Sequence, residues 1–300
     1  MRLYDDKKLF FQIIEQSLKA IKVDDKYIEK DYFAISILKE LITRNNKFVF
    51  KGGTSLSVCQ KAINRFSEDI DISYEDERIT VGTRKQIKQM FFDSIESVSL
   101  IVSNADNIRS RRVFNRYLCP YKDVNGNVDQ VIVEWATQTP SFPIETKTAQ
   151  TMIGQYLDSI GRHDLTTQYG LEAFEVKTIT KERTLVDKIF AICDYHLNKK
   201  LDRQSRHIYD IHQLLDYVSL DVGFVELFLK VREYRKSLDT CLSSKEGMVV
   251  STLLLELIEQ DTYKKDYNSK TFPLLYDHVK YEDCLHSIKK IADFLANNNL

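Results

Sequence analysis

Glycine and proline are scarce in this chain, 9 and 4 residues among 300, which leaves little material for disordered tails. Cysteine supplies no framework either. The five cysteines, Cys59, Cys119, Cys193, Cys241 and Cys284, are odd in number and scattered, with no C-x-x-C pair. That excludes a disulfide or zinc scaffold and a redox pair, and a reducing, cytoplasmic compartment is expected. The most apolar stretch, 248–258, is broken by Ser251, Thr252 and Glu256 and falls short of the ~20 residues of a membrane span. The opening MRLYDDKKLFFQIIEQ mixes charges among its apolar residues, so the apolar core of a signal peptide is missing. No sign of charge dominates: 43 Lys and Arg stand against 44 Asp and Glu. A uniformly basic coat and a polyacidic tail are both excluded, and an anionic partner must be met by local patches. Six histidines, His163, His196, His207, His212, His278 and His286, form no metal-ligand pair with a convincing partner.

What is present is core material: 43% hydrophobic residues, with 16 Phe and 16 Tyr, enough for one large or two modest domains. Apolar residues at helical spacing predict helices over 7–22 and 26–44. FVFKGG then reads as a short strand closed by a tight turn, with Thr54 and Ser55 opening another helix. Residues 68–75 alternate with period two, placing Ile70, Ile72 and Tyr74 on one face and Asp69, Asp71 and Ser73 on the other. A helix over 82–97 follows, then strand-like runs at 99–103, 111–119 and 129–136, the last two separated by an Asn125–Gly126 turn signal. The Thr- and Pro-bearing stretch after Thr137 reads as a connecting segment. Helical periodicity returns at 180–197, 203–219, 221–238, 245–260 and 275–297. The expected fold is α+β: a small mixed sheet flanked by helices over 1–178, led by helices within 1–46, followed by a helical bundle over 179–300.

Residues 51–73 carry the chemistry. Gly52 and Gly53 let the backbone turn sharply and approach a ligand, and the helix start behind them attracts anions such as phosphate. One helix later, Asp69 and Asp71 share a strand face ~7 Å apart at the Cα level, where two like charges repel unless a cation intervenes. Carboxylates are hard ligands suited to Mg²⁺ or Mn²⁺, whose remaining positions substrate phosphates can fill. A phosphate cradle facing a metal-binding edge is what nucleotidyl transfer requires. Either half alone is an ordinary glycine turn or acidic strand face; their succession is more specific.

GGTSL at 52–56 followed by RFSEDIDI at 65–72 resembles the signature of the AbiEii/AbiGii toxin family, which includes the MenT toxins, within the DNA polymerase β-like nucleotidyltransferase superfamily. PIETK at 143–147, ERTLVDK at 182–188 and RHIYD at 206–210 are similar to the family's later motifs, in the same order. The resemblance covers about residues 45–220 and implies a nucleotidyltransferase-type sheet domain. It implies that Gly52, Gly53, Thr54 and Ser55 bind nucleotide phosphates, with Arg65 near them, and that Asp69 and Asp71 bind metal. Ser67 fills the serine position of the family's S-x-D-x-D run. The superfamily's third carboxylate falls on Glu134, whose alternative is an ordinary exposed strand residue. Lys188 matches a lysine that contacts the triphosphate, and Asp210 an active-site residue orienting Lys188 or a substrate hydroxyl. Arg206 belongs to the same R-x-x-x-D run, although Arg206 and Asp210 also suit a helix-surface ion pair. His207 stands where relatives have Asp.

The implied reaction moves an NMP from an NTP, bound between the two domains, to an acceptor hydroxyl, an RNA such as a tRNA 3′ end. The implied setting is a type IV toxin–antitoxin or phage-defence system with a separately encoded antitoxin protein. A binding module controlled by GTP or ATP without catalysis, and a metal-dependent phosphohydrolase, use the same residues. Arg109, Arg111, Arg112 and Arg116, with Phe114 among them, form the leading nucleic-acid patch, and Lys199, Lys200 and Arg203 a second; solvated charge is the alternative for each.

Overall fold

Amphipathic spacing makes helices α1 (Lys7–Ile21) and α2 (Asp25–Arg44), which bury Phe10, Ile13 and Ile14 on the first and Phe33, Ile37, Leu38 and Leu41 on the second. The computed structural model describes residues 2–21, 25–67 and 69–300; the expected helix end at Lys22 and strand start at Glu68 lie outside them. The chain then forms β1 (Phe48–Lys51), α3 (Gly52–Val58), β2 (Asp69–Tyr74) and α4 (Val81–Ser97). A hairpin of β3 (Phe114–Lys122) and β4 (Val128–Ala136) follows, then β5 (Ile144–Ala149), α5 (Met152–Ser159), α6 (His163–Tyr169) and β6 (Phe174–Ile179). The α+β class expected from the sequence is the class observed.

Two compact units result: Met1–Cys59 with Ser67–Thr178, and Gln60–Phe66 with Ile179–Leu300. In the first unit the six strands lie in the order β3-β4-β2-β1-β6-β5. β1 runs antiparallel to β2 and parallel to β6, and β2 runs parallel to β4. One sheet face carries Ile70, Ile72, Val131, Val133, Trp135 and Tyr117, all buried in the core with residues of α2 and α4. The alternation of β2 and β4 fills that face by apolar area, at ~25 cal/mol per Å² removed from water.

Glu29 on α2 is buried among these apolar groups and accepts the Val124 N–H with both carboxylate oxygens, 3.1 Å each, tying the helix to the β3–β4 turn. Burial pushes its pKa up to about 7; the Val124 bond opposes this, and the charges of Asp123, Asp25 and Asp129 add to it. Lys30 is turned to Asp129, at 3.1 Å. The folded state thus keeps a proton that the unfolded chain, at the ordinary value of 4.5, has released, so this contribution to stability fades as pH rises from 4.5 to about 7. Glu29→Gln is expected to narrow the gap in melting temperature between about pH 5 and about pH 8. An unchanged pH dependence in thermal melts would contradict this.

The second unit is helical: α7 (Lys181–Leu197), α8 (Arg206–Leu214), α9 (Val222–Lys236), α10 (Val250–Glu259), the single turn α11 (Lys264–Asp266) and α12 (Tyr281–Asn297). Phe190 of α7 stacks on Phe228 of α9 at 4.6 Å between centroids. Several boundaries depart from the sequence expectation. The 99–103 run is not a strand, because Ser99 takes φ +65° and closes α4 through its N–H to the Glu96 carbonyl. The stretch after Thr137 contains β5, an edge strand that buries only Ala149 and so lacks an apolar signal. The helices expected from 203, 245 and 275 begin at Arg206, Val250 and Tyr281.

Candidate active site

Gly52 closes β1 with φ +76°, a conformation that disfavours any side chain. A Cβ built there would sit 1.9 Å from Asp71 Oδ2. Glycine at 52 is therefore required twice, by the backbone and by the carboxylate pressed against it. Thr54 donates its hydroxyl to the Asp69 carbonyl, fastening α3 to β2; Thr54 and Ser55 are buried. α3 has only seven residues and Lys51 provides no side-chain cap. The contribution to anion binding is thus local to the turn and its first amides.

Register sets the rest of the site. Lys51 of β1 stands opposite Asp71 of β2, Asp71 opposite Glu134 of β4, and Glu134 opposite Arg116 of β3. Directly paired residues share a sheet face, so Lys51, Asp71, Glu134 and Arg116 form one charged row on the face away from the core, with Asp69 two residues along. Asp69 and Asp71 are half-buried. Arg116 donates from Nε to Glu134 Oε1 at 2.7 Å. Burial works against the Arg116 charge, but that bond and the fields of Glu134, Asp69 and Asp71 outweigh it and raise the pKa. Glu134 thus lies beside Asp71 with its carboxylate turned to an arginine. Among the described residues no group of three or more His, Cys, Asp or Glu could hold a metal ion. The two aspartates still fit a Mg²⁺-type cation: their oxygens are hard donors, one or two carboxylates suffice, and the glycine at 52 lets the Asp71 carboxylate lie against the turn. Ser67 precedes β2 instead of lying in it. Lys51 was not singled out from the sequence; its signal was its place directly before the glycine pair.

A second cluster lies within the helical unit. Asp210 of α8 is fully buried and accepts from Arg65 Nε at 2.7 Å, from Arg65 Nη2 at 2.8 Å and from Lys188 Nζ at 2.6 Å. Arg65 also donates to the Phe66 carbonyl at 2.9 Å. Its guanidinium is held against Asp210 by two of its nitrogens. Lys188, on what reads as the polar side of α7, is buried with it at 5% exposure. Burial raises the Asp210 pKa, but the charges and hydrogen bonds of Arg65 and Lys188 dominate and hold it well below the carboxylate range. For Lys188, burial and the Arg65 charge outweigh Asp210 and lower the pKa.

The segment bearing Arg65 is pinned locally. Tyr209 accepts the Asn64 N–H at 3.1 Å and donates to Asp277 at 2.8 Å, and Arg65 forms a β-bridge with Leu275. Arg206 begins α8 half-buried and adds a neighbouring positive charge around Lys188. His207 stacks on Tyr195 at 5.7 Å, and burial with the charges of Lys188 and Arg206 holds it well below the ordinary imidazole range.

With both clusters in place, the comparison with protein families is decisive: the model of the nucleotidyl transferase AbiEii toxin of type IV toxin–antitoxin systems matches residues 36–287. The chain belongs to the AbiEii nucleotidyltransferase toxin family. No curated protein matches it. The AbiEii match spans the glycine turn, both aspartates, Lys188 and Asp210. Membership makes the chain a nucleotidyltransferase toxin with a nucleotide substrate and an antitoxin counterpart. Among the described residues no helix is long and apolar enough to cross a membrane.

Proposed function

We propose that this AbiEii protein transfers an NMP from an NTP to the 3′-terminal hydroxyl of an RNA, such as a tRNA, releasing pyrophosphate. The acceptor oxygen forms a bond to the α-phosphorus, the bond from that phosphorus to the bridging β-phosphate oxygen breaks, and the hydroxyl proton passes to solvent. The observation that carries this reading is the fit of Gly52 against Asp71, which brings the phosphate turn to the carboxylate strand. Gly52 and Gly53, with the backbone of Thr54 and Ser55, take the phosphates. Asp69 and Asp71 hold Mg²⁺ or Mn²⁺. When bound, such an ion neutralises triphosphate charge and lowers the pKa of the attacking hydroxyl. Asp210 orients Lys188 for the nucleotide, and Arg65 in turn positions Asp210.

In this reading the protein is a cytoplasmic toxin restrained by a separately encoded antitoxin protein, as type IV toxin–antitoxin membership supports. Replacing both Asp69 and Asp71 with Asn is expected to abolish label transfer from α-labelled NTP to total tRNA, with the circular dichroism spectrum unchanged. Turnover retained in the folded double variant would remove the metal-binding assignment. The pairing of Glu134 with Arg116 favours one alternative, nucleotide binding without transfer. Calorimetric NTP binding with no pyrophosphate formed over a panel of acceptors would select it.

A further inference from the structure

A chain with balanced charge concentrates positive charge in one place. Residues 78–92 and 107–118 together contain eight Lys and Arg and no Asp or Glu. The fold brings these two stretches together. Arg84 of α4 donates to the Arg111 carbonyl at 3.3 Å and Lys88 to the Ile108 carbonyl at 3.2 Å, so the loop before β3 lies along the helix. Asn115 binds both the N–H and the carbonyl of Arg109 at 3.0 Å, fixing that loop to the strand. Arg109, Arg111, Arg112 and Lys85 remain exposed.

The patch runs into β3, whose Arg116 belongs to the charged row of the candidate active site. β3 is the edge strand. Phe114, two residues from Arg116, lies on the same face as Arg116, Glu134 and Asp71, and the residue is 38% exposed. Two strand spacings, ~10 Å, separate β3 from β2. Several exposed cations beside an exposed aromatic ring suit a ligand with repeated phosphates and planar bases: cations bind the backbone and the ring stacks a base.

We propose that the α4 start, the 107–113 loop and β3 form the docking track for the single-stranded end of the acceptor RNA, which rests on the transfer reading above. The strand crosses Phe114 and β4 so that its terminal hydroxyl arrives at Asp71.

The test uses the full chain and a fluorescein-labelled single-stranded RNA of about 15 nucleotides, long enough to cover such a groove. Lys85 and Arg111 make no side-chain hydrogen bond among the described residues, so the variant carrying Lys85→Glu and Arg111→Glu should fold normally. Its RNA affinity is expected to fall at least ~10-fold, with the log–log salt slope shallower by about 1.4, at ~0.7 per single-strand phosphate contact. Phe114→Ala should weaken binding about tenfold, at the scale of one lost base stack. NTP affinity should stay unchanged in both.

Asp69→Asn with Asp71→Asn should keep RNA affinity while losing transfer. If transfer fails in the wild type but RNA binding still depends on Lys85 and Arg111, the docking track stands and the transfer reading falls. Equal RNA affinity in wild type and patch variants, or no RNA binding by the wild type at low salt, overturns the track.

Discussion

Replacing Asp210 with Ala is expected to destabilise the helical unit by about 3–5 kcal/mol, the usual cost of removing one partner from a buried ion pair. The carboxylate is fully buried between Arg65 and Lys188, which are 3% and 5% exposed. Without it, two buried cations face each other with the carboxylate between them removed. The acid-induced counterpart has a definite sign. The folded pKa of Asp210 lies below its unfolded value, so its stabilisation is present above the ordinary 3.8 and is lost as pH falls below that.

The effect is separable from activity. In the triple variant Arg65→Leu, Lys188→Met, Asp210→Leu, most of the stability should return, because apolar replacement of a whole buried ion cluster is often neutral or better. Activity should not return, since Lys188 is gone. Urea unfolding of the single and triple variants checks this; an Asp210→Ala variant as stable as wild type would show that the cluster does not hold the helical unit together.

Gly52→Ala has the opposite profile. The new Cβ would meet Asp71 Oδ2 at 1.9 Å in a backbone at φ +76°. The obstacle is the end of a side chain, so the fold can relax by swinging the Asp71 carboxylate away, together with a backbone strain of about 1 kcal/mol. That motion displaces a group whose value lies in its position. A misplacement of ~1 Å costs on the order of 100-fold in rate, so transfer is expected to drop at least that far while melting temperature falls only modestly. A wild-type rate in Gly52→Ala would mean that Asp71 can be moved without consequence.

How much of this was legible depended on range along the chain. The alternation of EDIDIS is local, and it placed Asp69 and Asp71 on the face opposite Ile70 and Ile72 correctly. The glycine pair announced a turn for the same reason. Register is not local: that Asp71 faces Glu134, and Glu134 faces Arg116, depends on pairings between strands far apart in sequence. Arg65 shows the same limit. Its partner, Asp210, is 145 residues away and could not be read from the residues around it. Lys188 lies on what reads in sequence as the polar side of α7; its burial comes from what covers that side. β5 was missed because an exposed edge strand needs no apolar alternation.

The central claim is that the Asp69 and Asp71 strand face carries nucleotidyl transfer. Its most direct measurement follows the two ends of one triphosphate, labelled at the α- or the γ-phosphorus, incubated with Mg²⁺ and total tRNA. The account predicts α-label joined to RNA and γ-label recovered in pyrophosphate, with both products lost when Asp69 and Asp71 are changed to Asn. Transfer of the γ-label to the acceptor, or α-label transfer undiminished in that double variant, would contradict it.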